Sequence, residues 1–161
     1  IKVIHELIRQ AEHNSLTLRS CVSQFKLPSQ RELHPLQQVA DPWLDCALGI
    51  RAIMVSMIQS QHAHVIARWN ERKLQEEALL ADWSERLGSA LQTERDRKYY
   101  EALMGAWRQF GIIKDQNAQW MLQGELDKAR EALVNQGRAR FKRVVDLFDE
   151  WMEQGDSFAG G

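Results

Sequence analysis

The sequence has 161 residues, 44% of them hydrophobic, and a net charge of −1 at neutral pH. A chain of this length can bury one core without disulfides or metals, and its charge balance argues against nucleic-acid binding, which usually selects a basic face. The sequence has only nine glycines and three prolines, and it is rich in the helix formers Leu, Ala and Gln. The composition argues against a sandwich, a barrel or a doubly wound sheet and predicts an all-α protein.

Residues 1–35 are predicted to form an N-terminal helical extension. Apolar side chains recur at helical spacing through residues 2–25, and Pro28 and Pro35 then disfavour a continuous helix. This extension contains Cys21, which together with Cys46 is compatible either with two buried free thiols or with a disulfide.

The next predicted helix begins at Asp41, which can cap it, with Pro42 at the first helical position. One stripe has the spacing of bundle packing and contains Leu44, Leu48, Arg51, Val55, Ile58, His62, Val65 and Trp69. A second stripe beside it contains Ala47, Ile50, Met54 and Met57. Two apolar stripes present more apolar surface than one neighbouring helix can cover. We therefore expect the 43–69 helix to pack in its own bundle and against a second copy of the chain; the central helix of a monomer is the alternative.

The sequence signals for the remaining helix boundaries differ in strength. A turn is expected between Ser60 and Lys73, and an uninterrupted helix to Leu87 is the alternative. Thr93, followed by acidic residues, starts a further helix, which Gln123-Gly124 ends. The last helix is predicted from about residue 125 to Gly155, with a stripe of Leu133, Gly137, Phe141, Val144, Phe148 and Trp151. The economical fold is an up-down four-helix bundle over residues 36–155, followed by a disordered tail at 156–161.

No motif in the sequence predicts catalysis. Glu-x-x-His pairs of the kind that build di-iron bundles are absent, and so are P-loop, Rossmann and Gly-x-Ser-x-Gly fingerprints. His62 and His64 diverge on a helix, and a partly buried core histidine is the simpler interpretation of His62. We therefore expect neither an enzyme nor a metal or cofactor site.

Arg51 is the candidate binding residue that the pattern singles out. It interrupts an apolar stripe between Leu48 and Val55, and burial of an unpaired guanidinium is costly. It should therefore meet a carboxylate, which arginine can bind through two parallel hydrogen bonds. That carboxylate could come from the protein or from a ligand. A side chain that reaches back to the surface is the alternative.

Two segments carry a resemblance to a known family. The sequence LQQVADPWL at 36–44, followed by Gly49-Ile50-Arg51, resembles the opening of a four-helix-bundle sensor domain. Tyr99-Tyr100 to Trp107 and the sequence LQGELDKA at 122–129 resemble its third helix, turn and fourth helix. Such domains form the periplasmic, ligand-binding part of bacterial methyl-accepting chemotaxis receptors and sensor kinases.

The resemblance implies a signal-transduction role. It implies a periplasmic domain of an inner-membrane receptor, a homodimer formed through the first bundle helix, and a small-molecule ligand such as an organic acid or an amino acid. In aspartate-type receptors, arginines on that helix and residues early in the fourth helix hold the ligand. Arg51 and, by rough offset, Arg130 correspond to such positions. Ser56 and Ser60 stand where further arginines would be expected, which argues against aspartate itself.

The alternative function is a cytoplasmic helical protein-protein interaction module. It would bind a partner helix through the Met54 and Met57 stripe, because flexible methionines suit adaptable grooves.

Overall fold

Four long helical segments follow one another through short turns. The structure, a computed structural model, describes residues 35–159, with side chains described as far as Glu153. Its elements are α1 (Pro35–Gln59), α2 (Ala63–Ser89), α3 (Glu94–Leu122), α4 (Leu126–Ala132), a π-helical turn (Leu133–Gly137) and α5 (Arg138–Ala159). The last three form the fourth helix of the bundle. The described residues contain no strand, which confirms the all-α prediction. The extension predicted for 1–35 lies outside them except for Pro35.

α1 begins at Pro35, so the predicted start at Asp41 and Pro42 is wrong. Pro42 lies inside the helix, where a proline usually costs about 3 kcal/mol. The physical reason for the longer helix is burial, because Leu36 and Ala40 continue the core-facing stripe of Trp43 at helical spacing.

The chain turns between α1 and α2, as one of the two interpretations predicted, and the uninterrupted helix is wrong. The Ser60 backbone N–H donates to the carbonyl oxygens of Ser56 and Met57. The His62 carbonyl accepts from the Val65 and Ile66 N–H groups, each within 3.1 Å. His62 is exposed, which corrects its placement in the core, because the turn ends the α1 stripe before it.

The boundaries of α3 confirm the predicted signals. The Thr93 side chain accepts a hydrogen bond from the Asp96 backbone N–H at 3.0 Å. At the other end, Gly124 has φ +83°, a left-handed conformation that glycine adopts without strain. α4 then starts at Leu126.

The fourth helix packs its predicted stripe into the core. Every described member is buried: Leu133, Gly137, Phe141, Val144, Phe148 and Trp151. The helix continues past Gly155 to Ala159. Residues 156–159, expected in a disordered tail, therefore lie in α5, and residues 160 and 161 lie outside the described part of the chain.

The core is divided into two hydrophobic clusters. The larger cluster includes Trp43, Ile50, Leu103, Phe110, Phe141 and Trp151. The smaller cluster, which we call the turn-end cluster, includes Ile53, Met54, Met57, Trp69, Met121 and Leu133. It lies beside the α1–α2 and α3–α4 turns, where α1 and α3 end. The division means that something other than apolar packing occupies the middle of the bundle.

A buried carboxylate joins α3 to α5 in the larger cluster. Asp96 Oδ1 accepts from Trp151 Nε1 at 3.0 Å, and Oδ2 accepts from the Gln92 N–H at 3.1 Å. Burial raises the pKa of Asp96, but the hydrogen bonds from Trp151, Gln92 and Thr93 outweigh it and hold the pKa below its ordinary value.

The lowered pKa of Asp96 makes stability depend on pH. The carboxylate stabilises the fold fully above its unfolded pKa of about 3.9, and this contribution is lost as the pH falls through the lower folded pKa. Asp96→Asn places an amide N–H₂ or a weaker acceptor opposite two donors. It should lower the free energy of unfolding at pH 7 by about 1–3 kcal/mol. In urea titrations, the difference from the unaltered chain should shrink below about pH 4; a constant difference would contradict this assignment.

Candidate functional site

Polar side chains occupy the middle of the bundle, between the two hydrophobic clusters. Arg51 lies on α1, Lys73 and Glu77 lie on α2, and Lys114 and Asn117 lie on α3. The α1–α2 and α3–α4 turns lie at the same end of the bundle. These residues therefore lie at comparable distances from the two turns. Three are cations and one is a carboxylate, so this polar layer has an excess of positive charge.

Arg51 contacts the fourth helix rather than a carboxylate. Its Nη2 donates to the Leu133 carbonyl oxygen at 3.4 Å, and its guanidinium carbon lies 5.8 Å from the centre of the Phe141 ring. Nη1 is buried and has no hydrogen-bond partner within residues 35–153. Burial lowers the pKa of Arg51, and the positive charge of Arg138 lowers it further. The site therefore holds a partly buried cation whose Nη1 is an unused donor.

The π-helical turn keeps the fourth helix in register beside Arg51. The core stripe steps by four residues twice, from Leu133 to Gly137 and on to Phe141, and each step in an α-helix would drift about 40° around the axis. A π turn holds more residues per turn and takes up this drift. A Cβ added at Gly137 would lie 3.5 Å from Arg51 Nη1 and 3.3 Å from the Ala132 carbonyl oxygen. Glycine therefore leaves the helix surface beside Nη1 without a side chain.

A second charged group joins α2 to α3 at the same level. Glu77 Oε1 accepts from Lys73 Nζ at 2.6 Å and from Lys114 Nζ at 2.8 Å. Lys73 is 3% exposed and Lys114 is 6% exposed. Burial raises the pKa of Glu77, but the hydrogen bonds from Lys114 and Lys73 prevail and keep the pKa below its ordinary value. Two buried ammonium groups thus share one oxygen, with exposed Asp115 at 3.4 Å from Lys114.

Asn117 is the most deeply buried polar residue of the layer. It is 1% exposed, and neither its amide nitrogen nor its amide oxygen has a hydrogen-bond partner in the described structure. A buried polar atom without a partner costs about 1–3 kcal/mol. Natural structures contain few such groups, and each calls for a physical reason.

The two sequence-predicted site residues have different surroundings. Arg51 lies in the polar layer, whereas Arg130 is exposed and its Nη1 lies 3.4 Å from Asp127. Ser56 is buried and donates to the Ala52 carbonyl oxygen at 3.0 Å. Together with Ser60 it lines a cleft of about 250 Å³ beside the α1–α2 turn.

Sequence reasoning missed the other members of the polar layer. Asn117 belongs to the apolar stripe of α3 by spacing, and a polar residue in such a stripe is the signal that could have identified it. Lys73, Glu77 and Lys114 lie in mixed polar runs, where nothing local distinguishes a buried charge from a solvated one. Within the described residues, no three His, Cys, Asp or Glu side chains could hold a metal ion.

Comparisons with known proteins assign no family to this geometry. No protein-family model, curated protein or solved structure matches the chain. None of the helices in the described part of the chain combines the length and apolarity that a membrane span requires. The polar layer and the segments that carry the resemblance are therefore the features from which a function can be inferred.

The shared carboxylate of Glu77 should be worth much more than an exposed ion pair. Glu77→Gln leaves buried Lys73 without its carboxylate and leaves Lys114 with only the exposed Asp115, and we expect the free energy of unfolding to fall by about 2–4 kcal/mol. Asp82→Asn is the matched control, because Asp82 forms an i,i+4 pair with Arg86 on the exposed side of the same helix. Its effect should stay within about 0.5 kcal/mol. Equal effects in urea denaturation would contradict the burial argument.

Proposed function

We propose that this bundle is the ligand-sensing domain of a transmembrane chemoreceptor or sensor kinase, and that its ligand is a small organic acid. One observation supports the proposal above the others: Arg51 is partly buried, its Nη1 is an unused donor, and it meets no carboxylate within the described residues. A protein that needed Arg51 only for stability would pair it or replace it with an apolar residue. A ligand carboxylate supplies the missing partner.

Arg51 can bind a carboxylate without losing its place in the bundle. The Phe141 ring centre lies 5.8 Å from its guanidinium carbon, and Gly137, which has no side chain, lets Nη1 approach the facing helix closely. A carboxylate that takes both Nη1 and Nη2 replaces the long hydrogen bond to Leu133 with two charge-assisted ones. The Leu133 carbonyl keeps its helical bond from the Arg138 N–H.

Binding at Arg51 would change how α1 is held against the fourth helix. The Arg51–Leu133 hydrogen bond joins the two elements across the bundle, and a ligand that competes for Nη2 weakens it. A ligand shifts an equilibrium between two helix arrangements by its difference in affinity for them. Helix shifts of about 1–2 Å are a known response of packed helices, and such a shift would carry the signal along the fourth helix.

The proposed domain is extracytoplasmic and works as a homodimer through α1. The inner stripe of α1 is fully buried, with Ala47, Ile50, Met54 and Met57 each 0% exposed. In the other stripe, Leu44 and Ile58 are buried at 7% exposure, whereas Leu48 is 40% exposed and Val55 is half-buried. Leu48 and Val55 supply the apolar contact for a second copy.

The alternative of a cytoplasmic interaction module needs a different surface from the one that the sequence indicated. Met54 and Met57 lie inside the turn-end cluster, so a partner helix could not reach them without opening the bundle. Such a module would bind a protein partner and show no response to small acids. The following measurement separates the two functions.

A screen of small acids should stabilise the protein against heating. Ligand at one hundred times its Kd adds about 2.7 kcal/mol, which is about 5–10 °C in Tm for a domain of this size. Short mono- and dicarboxylic acids should produce this shift, and sugars should not. Arg51→Met keeps an apolar stem in place and should remove the response while leaving the protein folded.

Arg140→Met is the matched control for this screen. Arg140 also donates from one helix to a backbone carbonyl of another, to Gln109 at 2.9 Å, but it lies outside the polar layer. Its replacement should leave the response to acids unchanged. No shift with any acid, or an equal response in Arg51→Met, would refute the proposed site.

Leu48→Glu should weaken self-association. Leu48 is exposed in one copy of the chain, so a charge there costs little in the monomer but is expensive inside an apolar contact. Leu74→Glu is the control, because Leu74 on α2 is 54% exposed. In sedimentation equilibrium, the association constant of the Leu48→Glu dimer should be lower at least about tenfold than that of the unaltered chain. A dimer that only the Leu74→Glu substitution weakens would assign the interface to another helix.

A further inference from the structure

Asn117 has unmet hydrogen bonds that suggest a role in addition to that of Arg51. Its amide is almost fully enclosed, yet its nitrogen and its oxygen both lack partners in the described residues. An apolar side chain would fill the same position at no such cost. The unmet hydrogen bonds are therefore available to something that enters the bundle.

Asn117 and Arg51 lie at neighbouring levels of the bundle, both in the polar layer. Asn117 is six residues before Gln123 and Arg51 is nine residues before Ser60, at the turns of the same end. The difference of three residues is about 4.5 Å along the bundle axis. Asn117 also lies one turn from Met121, which belongs to the turn-end cluster together with Leu133, the residue that Arg51 contacts.

We propose that Asn117 determines specificity at the Arg51 site by hydrogen-bonding an oxygen next to the ligand carboxylate, and that the ligand is a short 2-hydroxy or 2-oxo acid. This inference rests on the proposed function, because it requires a carboxylate at Arg51. The acid places two oxygen-bearing groups on adjacent carbons, so that one can bind the guanidinium while the other reaches towards α3.

The chemistry of the amide fits both ligand types. A side-chain amide offers two N–H donors and one carbonyl acceptor. It can accept from a hydroxyl with its oxygen, or donate to a hydroxyl or oxo oxygen with its nitrogen. An unsubstituted acid of the same length leaves both amide atoms unpaired, and a site built to bond an oxygen discriminates against such an analogue.

The test compares lactate, pyruvate and propionate, which share a three-carbon skeleton. Isothermal titration calorimetry on the unaltered chain should show lactate or pyruvate binding about tenfold or more tightly than propionate. This comparison needs no variant. Asn117→Leu should abolish the preference while propionate binding stays within about threefold, since Arg51 remains. Asn135→Leu is the control, because Asn135 on the π turn is exposed; it should keep the preference.

A second measurement concerns the protein without ligand. Asn117→Leu should raise Tm, because an unpaired buried amide is replaced by an apolar side chain of similar size. A higher Tm combined with the lost preference is the expected signature of a residue kept for recognition. A lower Tm with the preference retained would overturn the inference and assign the amide to an internal water.

The outcomes separate this inference from the proposed function. If the three acids bind equally to the unaltered chain and Arg51→Met removes them all, the acid site stands and the role of Asn117 is refuted. If none of the acids binds, the proposed function fails and the inference fails with it. If the preference persists in Asn117→Leu, another residue reads the second oxygen.

Discussion

The partial burial of Arg51, with no carboxylate partner among the described residues, is the constraint on which the middle of this bundle depends. The fourth helix compensates for this burial only in part, because the Leu133 carbonyl accepts one hydrogen bond from the guanidinium and the Phe141 ring lies beside it. The π turn places both of these groups beside Arg51, and Gly137 keeps that surface clear. On the other side of the bundle, Lys73 and Lys114 add positive charge that Glu77 only partly balances. The core is consequently split into two clusters.

This arrangement costs stability, and the proposed recognition of an acid would account for that cost. A fully apolar layer would be simpler and, by general experience with buried ion pairs, at least as stable. The chain instead keeps polar atoms without partners at Arg51 and Asn117. Such costs persist in natural proteins mainly where function needs them, which is why the proposed acid site is placed at the layer rather than at the exposed clefts.

The sequence predicted the fold better than the site. Periodicity located the fourth-helix stripe from Leu133 to Trp151, and capping chemistry located Thr93, because both depend on near neighbours in the chain. The start of α1 at Pro35 was missed, since burial of Leu36 and Ala40 outweighed a strong local signal at Pro42. Arg51 was identified because a charged residue that interrupts an apolar stripe can be recognised from the sequence alone. The Lys73–Glu77–Lys114 group was not, because no local signal marks the i,i+4 pair of Lys73 and Glu77 as buried, and Lys114 reaches that pair only across two helices.

The π-helical turn also has a consequence for how the chain tolerates changes in its length. Relative to an α-helix, this turn contains one surplus residue between α4 and α5. Deletion of one residue there would let the segment close as a regular α-helix while Ala129 and Phe141 kept facing the core. Helices usually have no position where a single-residue deletion leaves both flanks aligned. In this protein the tolerance lies next to Arg51, so one residue could be removed beside the polar layer without rebuilding either half of the bundle.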